Sequence, residues 1–258
     1  MKSEIVRRLS PEEEELAKKR EELALLQAEL ADRELHLANL RAELSTFEGR
    51  YLREVGVLYA ELDDWKAKIA LLIAEEAGTV QARTAATEAR RQAEESYSAA
   101  HGEAARAADF APSPELKKLY RDVAKRVHPD LATDDADRAH RERSMAAANR
   151  AYQQGDVDAL RRILEEYESS PEAVQGTGVA ADLVRVIRQI RQMQKRLLQI
   201  ELEITTLADS DTAKLKVKAE AVNNQGRNLL SEMAQDVKRR IDIERRQFET
   251  LSAKKRNP

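Results

Sequence analysis

The stretch LKKLYRDVAKRVHPD, residues 116–130, has the pattern of an amphipathic helix that ends at a helix breaker. Ser113 is a good N-cap and Pro114 suits the first helical position, whereas Pro129 cannot continue a helix. The pattern therefore predicts a helix from about Pro114 to Val127, with most of its basic residues off the apolar face. That predicted face consists of Leu116, Leu119, Tyr120, Val123, Ala124 and Val127.

Two further helices are predicted after this stretch. The first runs from about residue 135 to residue 154, and Gly155 is typical of a helix stop. Asp156 can cap a short third helix, VDALRRILEEY. The side of the first helix that faces a core is predicted to hold Met145, Ala148, Ala151 and Tyr152. Residues 169–178, SSPEAVQGTG, have the composition of a linker.

Apolar residues recur every seven positions in the N-terminal part of the chain, a spacing that indicates a coiled coil. The ladder is Leu9, Leu16, Leu23, Leu30, Leu37, Leu44, Tyr51, Leu58, Trp65 and Leu72. Ser10 and Glu13 predict a capping box at its start. A stutter after Phe47, flanked by Gly49 and Gly56, is either a tolerated irregularity or a bend. We interpret residues 1–108 as a coiled coil with an alanine-rich helical extension.

The C-terminal residues 179–258 show two heptad runs. One spans residues 183–207 and the other residues 215–251, and the polar sequence ADSD (208–211) separates them. Two heptad helices joined by a short polar turn predict an antiparallel helical hairpin. With the segments above, the predicted fold class is all-α: an N-terminal coiled coil, a small helical module over residues 109–168, and a C-terminal hairpin.

Composition and charge fit this interpretation. Charged residues make up 35% of the 258 residues, aromatic residues 4%, and cysteine is absent. Residues 1–76 carry a net charge of −6 and residues 179–258 one of +6, so the two arms could pack on each other or the basic arm could meet an acidic partner. No apolar run is long enough to cross a bilayer and no apolar signal core is visible, so we expect no membrane association and a cytoplasmic protein.

Catalytic and metal-binding motifs are not visible in the sequence. There is no glycine-rich phosphate loop, no nucleophile elbow and no paired histidine–carboxylate motif. The histidines His36, His101, His128 and His140 do not show the spacing of metal ligands. We therefore expect no enzymatic activity, no cofactor and no metal site.

Residues 116–130 resemble the second helix and the following loop of a J domain, the module of DnaJ-type co-chaperones. The matching features are basic residues, Tyr120–Arg121, the Val123–Ala124 pair, two more basic residues and the tripeptide His-Pro-Asp (128–130). Ala151 and Tyr152 match the next helix of the family. The resemblance covers about 50 residues. The family's first helix is not visible before Pro112, and residues 96–108 are the candidate replacement.

The resemblance implies a function. J domains bind 70-kDa heat-shock chaperones of the DnaK type and stimulate ATP hydrolysis by that partner, without a catalytic site of their own. His128, Pro129 and Asp130 would form the loop that triggers hydrolysis, with Asp130 exposed beside the proline to bond an arginine of the partner. The basic face that would meet an acidic surface comprises Lys117, Lys118, Arg121, Lys125 and Arg126.

Two alternatives remain beside an active co-chaperone. In one, the chain is a coiled-coil scaffold or adaptor whose J-like module serves only for docking. In the other, the basic C-terminal arm contacts nucleic-acid phosphates. The coiled coils are expected to form a homo-oligomer or to select clients, and the sequence does not identify the client protein.

Overall fold

The computed structural model describes residues 10–102, 110–132, 135–168 and 178–256. Over these residues the chain is all-α, as predicted, and has no β-strand. A π-helical segment follows the first helix at Leu52–Gly56, and a 3-10 turn spans Pro129–Leu131. The helices are α1 (Pro11–Tyr51), α2 (Val57–Ala77), α3 (Val80–His101), α4 (Pro114–Val127), α5 (Asp135–Gln154), α6 (Val157–Glu168), α7 (Val179–Ala208), α8 (Asp211–Asn223) and α9 (Leu229–Arg256).

Local capping chemistry sets several helix boundaries. The predicted capping box is present at α1, where Ser10 N donates to Glu13 at 2.8 Å and Glu13 N donates to Ser10 Oγ at 3.2 Å. Ser113 Oγ accepts from the backbone of the first turn of α4 at 3.1 Å. Gly155, with φ of 71°, ends α5, and Asp156 caps α6. The predicted bounds of α4 and α5 are confirmed.

The described chain forms two compact units. Unit 1 combines residues 1–42 with residues 110–208, and unit 2 combines residues 43–109 with residues 209–258. This grouping differs from the three predicted segments, because helices of the first and last segments pack together inside each unit. The predicted linker, apart from Gly178, lies outside the described residues. So do Leu9 of the ladder and residues 103–108 of the candidate first helix.

The core of unit 1 lies where α4, α5 and α6 meet α1. Alanine and leucine side chains of α1 enter it at Ala31, Leu35 and Ala38. The buried residues of the other helices are Leu116, Tyr120, Val123, Ala124, Val127, Met145, Ala148, Ala151, Tyr152 and Leu160. Helix α1 therefore supplies the apolar surface that closes this small module. From the sequence, residues 96–108 are the candidate for that role.

The apolar seam of α1 packs against α7 in unit 1. Leu16 clusters with Val186 and Ile190, and further along the two helices Leu30 and Leu37 cluster with Met193 and Ile200. The two helices run parallel and in register, since the cross-helix pairs Arg20–Asp182, Glu34–Arg196 and Arg41–Glu203 all span 162 residues. The coiled-coil seam is thus occupied within one chain and gives no support to the expected homo-oligomer.

In unit 2, α2 packs against both α3 and α9. Leu62 is fully buried with Val237 and Ile241 of α9. Trp65 meets the ring of Phe248 edge-on, with ring centroids 5.5 Å apart. These contacts also join the first and last predicted segments.

The two predicted arms of the C-terminal hairpin belong to different units. In unit 1, α7 packs on α1, and in unit 2, α9 packs on α2. The second heptad run is also divided into α8 and α9 by residues 224–228, where Gly226 has φ of 75°. A heptad pattern specifies an apolar seam but leaves its partner open, so the packing of α7 on α1 and of α9 on α2 does not follow from the sequence.

The predicted stutter coincides with the π-helical segment. Val55 and Gly56 of this segment are buried in unit 2. A Cβ atom on Gly56 would lie 3.1 Å from Leu52 Cδ2 and 3.9 Å from the Cβ of Ala100, so glycine allows this close approach. The irregularity is therefore packed against α3 and is part of the structure of unit 2.

Among the helices described, none combines the length and the apolar character that a membrane span requires. Within the same residues, no group of three or more histidine or acidic side chains is placed to hold a metal ion.

Candidate functional site

Two tyrosines fix the helices that carry the candidate site. Tyr120 of α4 and Tyr152 of α5 are both buried, with ring centroids 4.7 Å apart. The hydroxyl of Tyr120 donates to Asn149 Oδ1 at 2.5 Å, and that of Tyr152 donates to Asn39 Oδ1 of α1 at 2.7 Å. Burial raises the pKa of Tyr120, and it raises the pKa of Tyr152 to about 12, so both remain neutral donors. The module is thereby anchored to α1.

The His-Pro-Asp tripeptide forms a compact turn at the end of α4. The amide of Asp130 donates to His128 Nδ1 at 3.2 Å, and the amide of Leu131 donates to the His128 carbonyl oxygen at 3.0 Å. A third backbone bond joins Ala132 N to the Pro129 carbonyl at 3.1 Å. Because Nδ1 accepts a hydrogen bond, the neutral ring carries its hydrogen on Nε2.

His128 is buried and faces α1. Its residue exposure is 3%, and Nε2 lies 3.2 Å from Glu34 Oε1. The same oxygen accepts from Nε of Arg196 on α7 at 2.8 Å. Burial opposes ionisation of Glu34, but the bond from His128 and the charge of Arg196 outweigh it and hold its pKa below the ordinary value. Glu34 is thus an ionised carboxylate that lies between the imidazole of His128 and the guanidinium of Arg196.

Asp130 is also withdrawn from solvent, with 15% of its side chain exposed. Its Oδ2 atom is buried, and no donor among the described residues bonds to it. Burial raises the pKa of Asp130, although the charges of His128, Arg138 and Arg196 counteract this. The expectation of an exposed Asp130 is therefore wrong for this structure, because α1 and α7 cover the loop.

The residues of the predicted basic face differ in their exposure to solvent. Lys118, Lys125 and Arg126 are exposed, and Lys117 is half-buried. The Nε of Arg121 donates to Asp32 Oδ1 of α1 at 2.7 Å. The exposed cations lie on α4, and the His-Pro-Asp turn follows this helix directly. The charge of Arg121 is partly neutralised by Asp32.

The buried Arg141 of α5 holds the end of α4, a role that the sequence analysis missed. Its Nη1 donates to the carbonyl oxygen of Arg126 at 2.8 Å, and its Nε donates to Asp137 at 2.8 Å. Its Nη2 donates to the hydroxyl of Tyr167. This one side chain joins α4, α5 and α6 just before the turn. An arginine four residues after an aspartate signals only an ion pair in sequence, so its burial could not be inferred.

Glu34 and Arg196 were also missed, although the sequence holds a signal for them. Glu34 lies between Leu30 and Leu37 on the seam of α1, and Arg196 lies between Met193 and Ile200 on the seam of α7. A charged residue inside an apolar seam needs a partner to offset its desolvation. Opposite charges at matching positions of two heptad runs therefore indicate that the runs meet there.

Comparison of the chain with protein-family models, curated proteins and solved structures finds no match. The function is therefore inferred from the site itself.

A separate groove of about 1140 Å³ lies between α2 and α3 in unit 2. Its lining includes alanines of both helices, Ala60, Ala67 and Ala74 on α2 and Ala86 and Ala93 on α3. None of the predicted site residues lines it. The buried turn of unit 1 is therefore the candidate functional site, and the groove is not.

Proposed function

We propose that this chain is a J-domain-type co-chaperone that binds a 70-kDa heat-shock chaperone of the DnaK type and stimulates its ATP hydrolysis. The observation that carries the proposal is the position of the His-Pro-Asp turn, which directly follows the basic helix α4 and is braced against α5. A tripeptide in a flexible loop would support it far less. The cytoplasm, where such a partner works, is the expected compartment.

The arrangement of charges supports a binding role for the turn. Asp130 keeps a carboxylate whose Oδ2 lacks a donor among the described residues, although burial disfavours its ionised form. Such a group gains most from an arginine brought by a partner, since a charge-assisted bond offsets its desolvation. Lys118 and Lys125 on the exposed part of α4 would accelerate association with an acidic surface.

In this mechanism the chain does no covalent chemistry. The partner hydrolyses ATP, and the J-like module stabilises the partner conformation in which hydrolysis is fast. The hydrogen bond from Arg141 to the carbonyl oxygen of Arg126 holds the end of α4, so that His128 and Asp130 keep one geometry. Pre-organisation of this kind lowers the entropy lost on binding.

The test is single-turnover ATP hydrolysis by a purified DnaK-type chaperone at increasing concentrations of the chain. We expect a stimulated rate that is lost in His128→Gln and in Asp130→Asn. His36→Gln is the matched control, since His36 is exposed on α1 and the chemical change is the same. The test uses several such chaperones. If neither the wild type nor variants lacking the Glu34–Arg196 pair stimulate any of them, the co-chaperone proposal is refuted.

A scaffold or adaptor with a J-like docking module is the second candidate. The burial of His128 favours it, because a covered turn is unavailable for triggering hydrolysis. This candidate predicts chaperone binding through Lys118 and Lys125 without ATPase stimulation. It also predicts that His128→Gln leaves binding unchanged, so the two functions are separated by measuring binding and hydrolysis on the same variants.

A further inference from the structure

The cover over the His-Pro-Asp turn is made by a defined set of polar contacts. Glu34 of α1 is 4% exposed and receives hydrogen bonds from His128 and from Arg196. Arg196 also donates through Nη1 to Glu203 Oε1 at 2.9 Å. Glu34 and Arg196, here termed the closing pair, thus tie the buried histidine to both α1 and α7.

Two further contacts hold the same turn to α7. Leu131 packs into the apolar cluster that Leu30 of α1 forms with Met193 of α7. With its amide oriented so that both ends are satisfied, Gln192 donates to the Asp130 carbonyl oxygen at 3.1 Å and accepts from Arg138 Nη2 at 3.2 Å. The turn is therefore held on its backbone, on its histidine and on the leucine that follows.

The closing pair is separate from the contacts that keep the module folded. Helix α1 enters the module core through Ala31, Leu35 and Ala38, whereas Glu34 points to the turn and to α7. Changing Glu34 or Arg196 therefore weakens the cover over the turn and leaves the apolar core of the module intact. This separation makes the cover experimentally accessible.

Asp130 gives an independent observation. In the covered arrangement its Oδ2 has no donor among the described residues, so the covered turn leaves its carboxylate poorly satisfied. A buried polar atom without a partner costs free energy, which the contacts of α7 must offset. An arrangement that α7 helps to hold, and that buries the group proposed to bind the chaperone, has the properties of an inactive state.

We propose that the structure represents a closed state, in which α1 and α7 cover the His-Pro-Asp turn through the closing pair and a DnaK-type chaperone engages the turn only after α7 separates from it. The inference rests on the proposed co-chaperone function and specifies its regulation. The fraction of molecules with α7 released then sets the apparent affinity for the chaperone. The rate at saturating chain is set by the released form and is unchanged.

The test compares full-length Arg196→Glu with Arg191→Glu. The first places a second negative charge beside Glu34. The second makes the same change at an exposed position of α7. We expect Arg196→Glu to lower the half-saturating concentration for ATPase stimulation roughly tenfold or more, with an unchanged maximal rate, and Arg191→Glu to match the wild type. Glu34→Gln, a milder change, should act in the same direction.

A structural readout separates this inference from the proposed function. Hydrogen exchange of the amides of residues 130–132 should be slow in the wild type and in Arg191→Glu, and faster in Arg196→Glu. Circular dichroism checks that the helices persist. Equal exchange and equal half-saturation in all four proteins would overturn the closed state and leave the co-chaperone in place. Faster exchange without stimulation by any variant would support the cover and refute the co-chaperone.

Discussion

The guanidinium of Arg141 lies 2.8 Å from the carbonyl oxygen of Arg126, and this bond fixes the last turn of α4 against α5. The backbone atom concerned belongs to the residue two positions before His128. A displacement of α4 would move the His-Pro-Asp turn by a similar amount. The precision of the candidate site therefore depends on a buried arginine outside it.

Replacing Arg141 by alanine should destabilise unit 1. The change removes bonds to Asp137, to Tyr167 and to the Arg126 carbonyl, and we expect a loss of about 1–3 kcal/mol in unfolding free energy. Urea unfolding followed by circular dichroism measures it. Arg143→Ala, an exposed change on the same helix, should stay within about 0.5 kcal/mol. Equal losses for both variants would mean that Arg141 contributes no more than a surface residue.

Replacing Asp130 by asparagine should stabilise the closed structure while abolishing chaperone stimulation. Burial raises the pKa of Asp130 in the folded chain, so its negative charge at neutral pH opposes folding. Asparagine keeps the shape and removes the charge, and the gain should reach about 1 kcal/mol. Glu142→Gln, exposed on α5, is the control. A loss of stability in Asp130→Asn would show that the carboxylate is well satisfied after all.

Glu34 should make unit 1 sensitive to acid. Its lowered pKa means that its stabilising contribution is complete above the ordinary glutamate value of 4.5 and is lost as the pH falls through the lower folded value. His128 and Arg196 face it directly, and the carboxyl group of Asp130 and the neutral hydroxyl of Tyr120 lie nearby. Urea midpoints of the wild type and Glu34→Gln should therefore converge as the pH falls below the ordinary glutamate value. Glu29→Gln, exposed on α1, should follow the wild type, and parallel curves for wild type and Glu34→Gln would contradict the assignment.

Leu62 should be a main determinant of stability in unit 2. It is fully buried against Val237 and Ile241, so Leu62→Ala should cost about 2–5 kcal/mol. Trp65, the single tryptophan, packs on Phe248 close by and reports the transition by fluorescence. Leu71→Ala is the control because Leu71 is 54% exposed. Similar midpoints for both variants would place Leu62 outside the cooperative core.

The exposed cations of α4 should control the rate of association with the chaperone. Lys118→Glu and Lys125→Glu are expected to lower the association rate constant and its dependence on salt, with little change in unfolding free energy. Stopped-flow binding at several salt concentrations measures this. Lys195→Glu on α7 is an equally exposed charge reversal away from α4. Identical rates for the three variants would remove the basic face from the site.

The parts of the fold that local chemistry dictates could be predicted from sequence. Ser113, Pro114 and Gly155 determine the bounds of α4 and α5, and the apolar face of α4 is buried as its spacing indicates. The partners of the long seams could not be predicted, because any heptad face can pack on any other. The break between α8 and α9 was missed, although Gly226 and its asparagine neighbours marked a turn.

The residues of the candidate site could be predicted from the sequence, but their burial could not. The His-Pro-Asp turn follows α4 as expected, but the cover by Glu34 and Arg196 depends on the register between helices that are 162 residues apart in sequence. Long-range register is set by the sum of many contacts along both helices. The Glu34–Arg196 ion pair can therefore be recognised only once the seams of α1 and α7 are known to pack on each other.

The π-helical segment Leu52–Gly56 determines how unit 2 tolerates insertions and deletions. A π-helical turn holds one residue more than an α-helical turn, so this segment takes up one extra residue between two contacts that the helix makes with α9. Phe47 clusters with Leu230 of α9, and Leu62 clusters with Val237 of the same helix. Losing one residue within the segment would convert it to regular α-helix and keep both contacts. Losing one residue between Gly56 and Leu62 would instead rotate Leu62 by about 100° relative to Phe47 and break one of them.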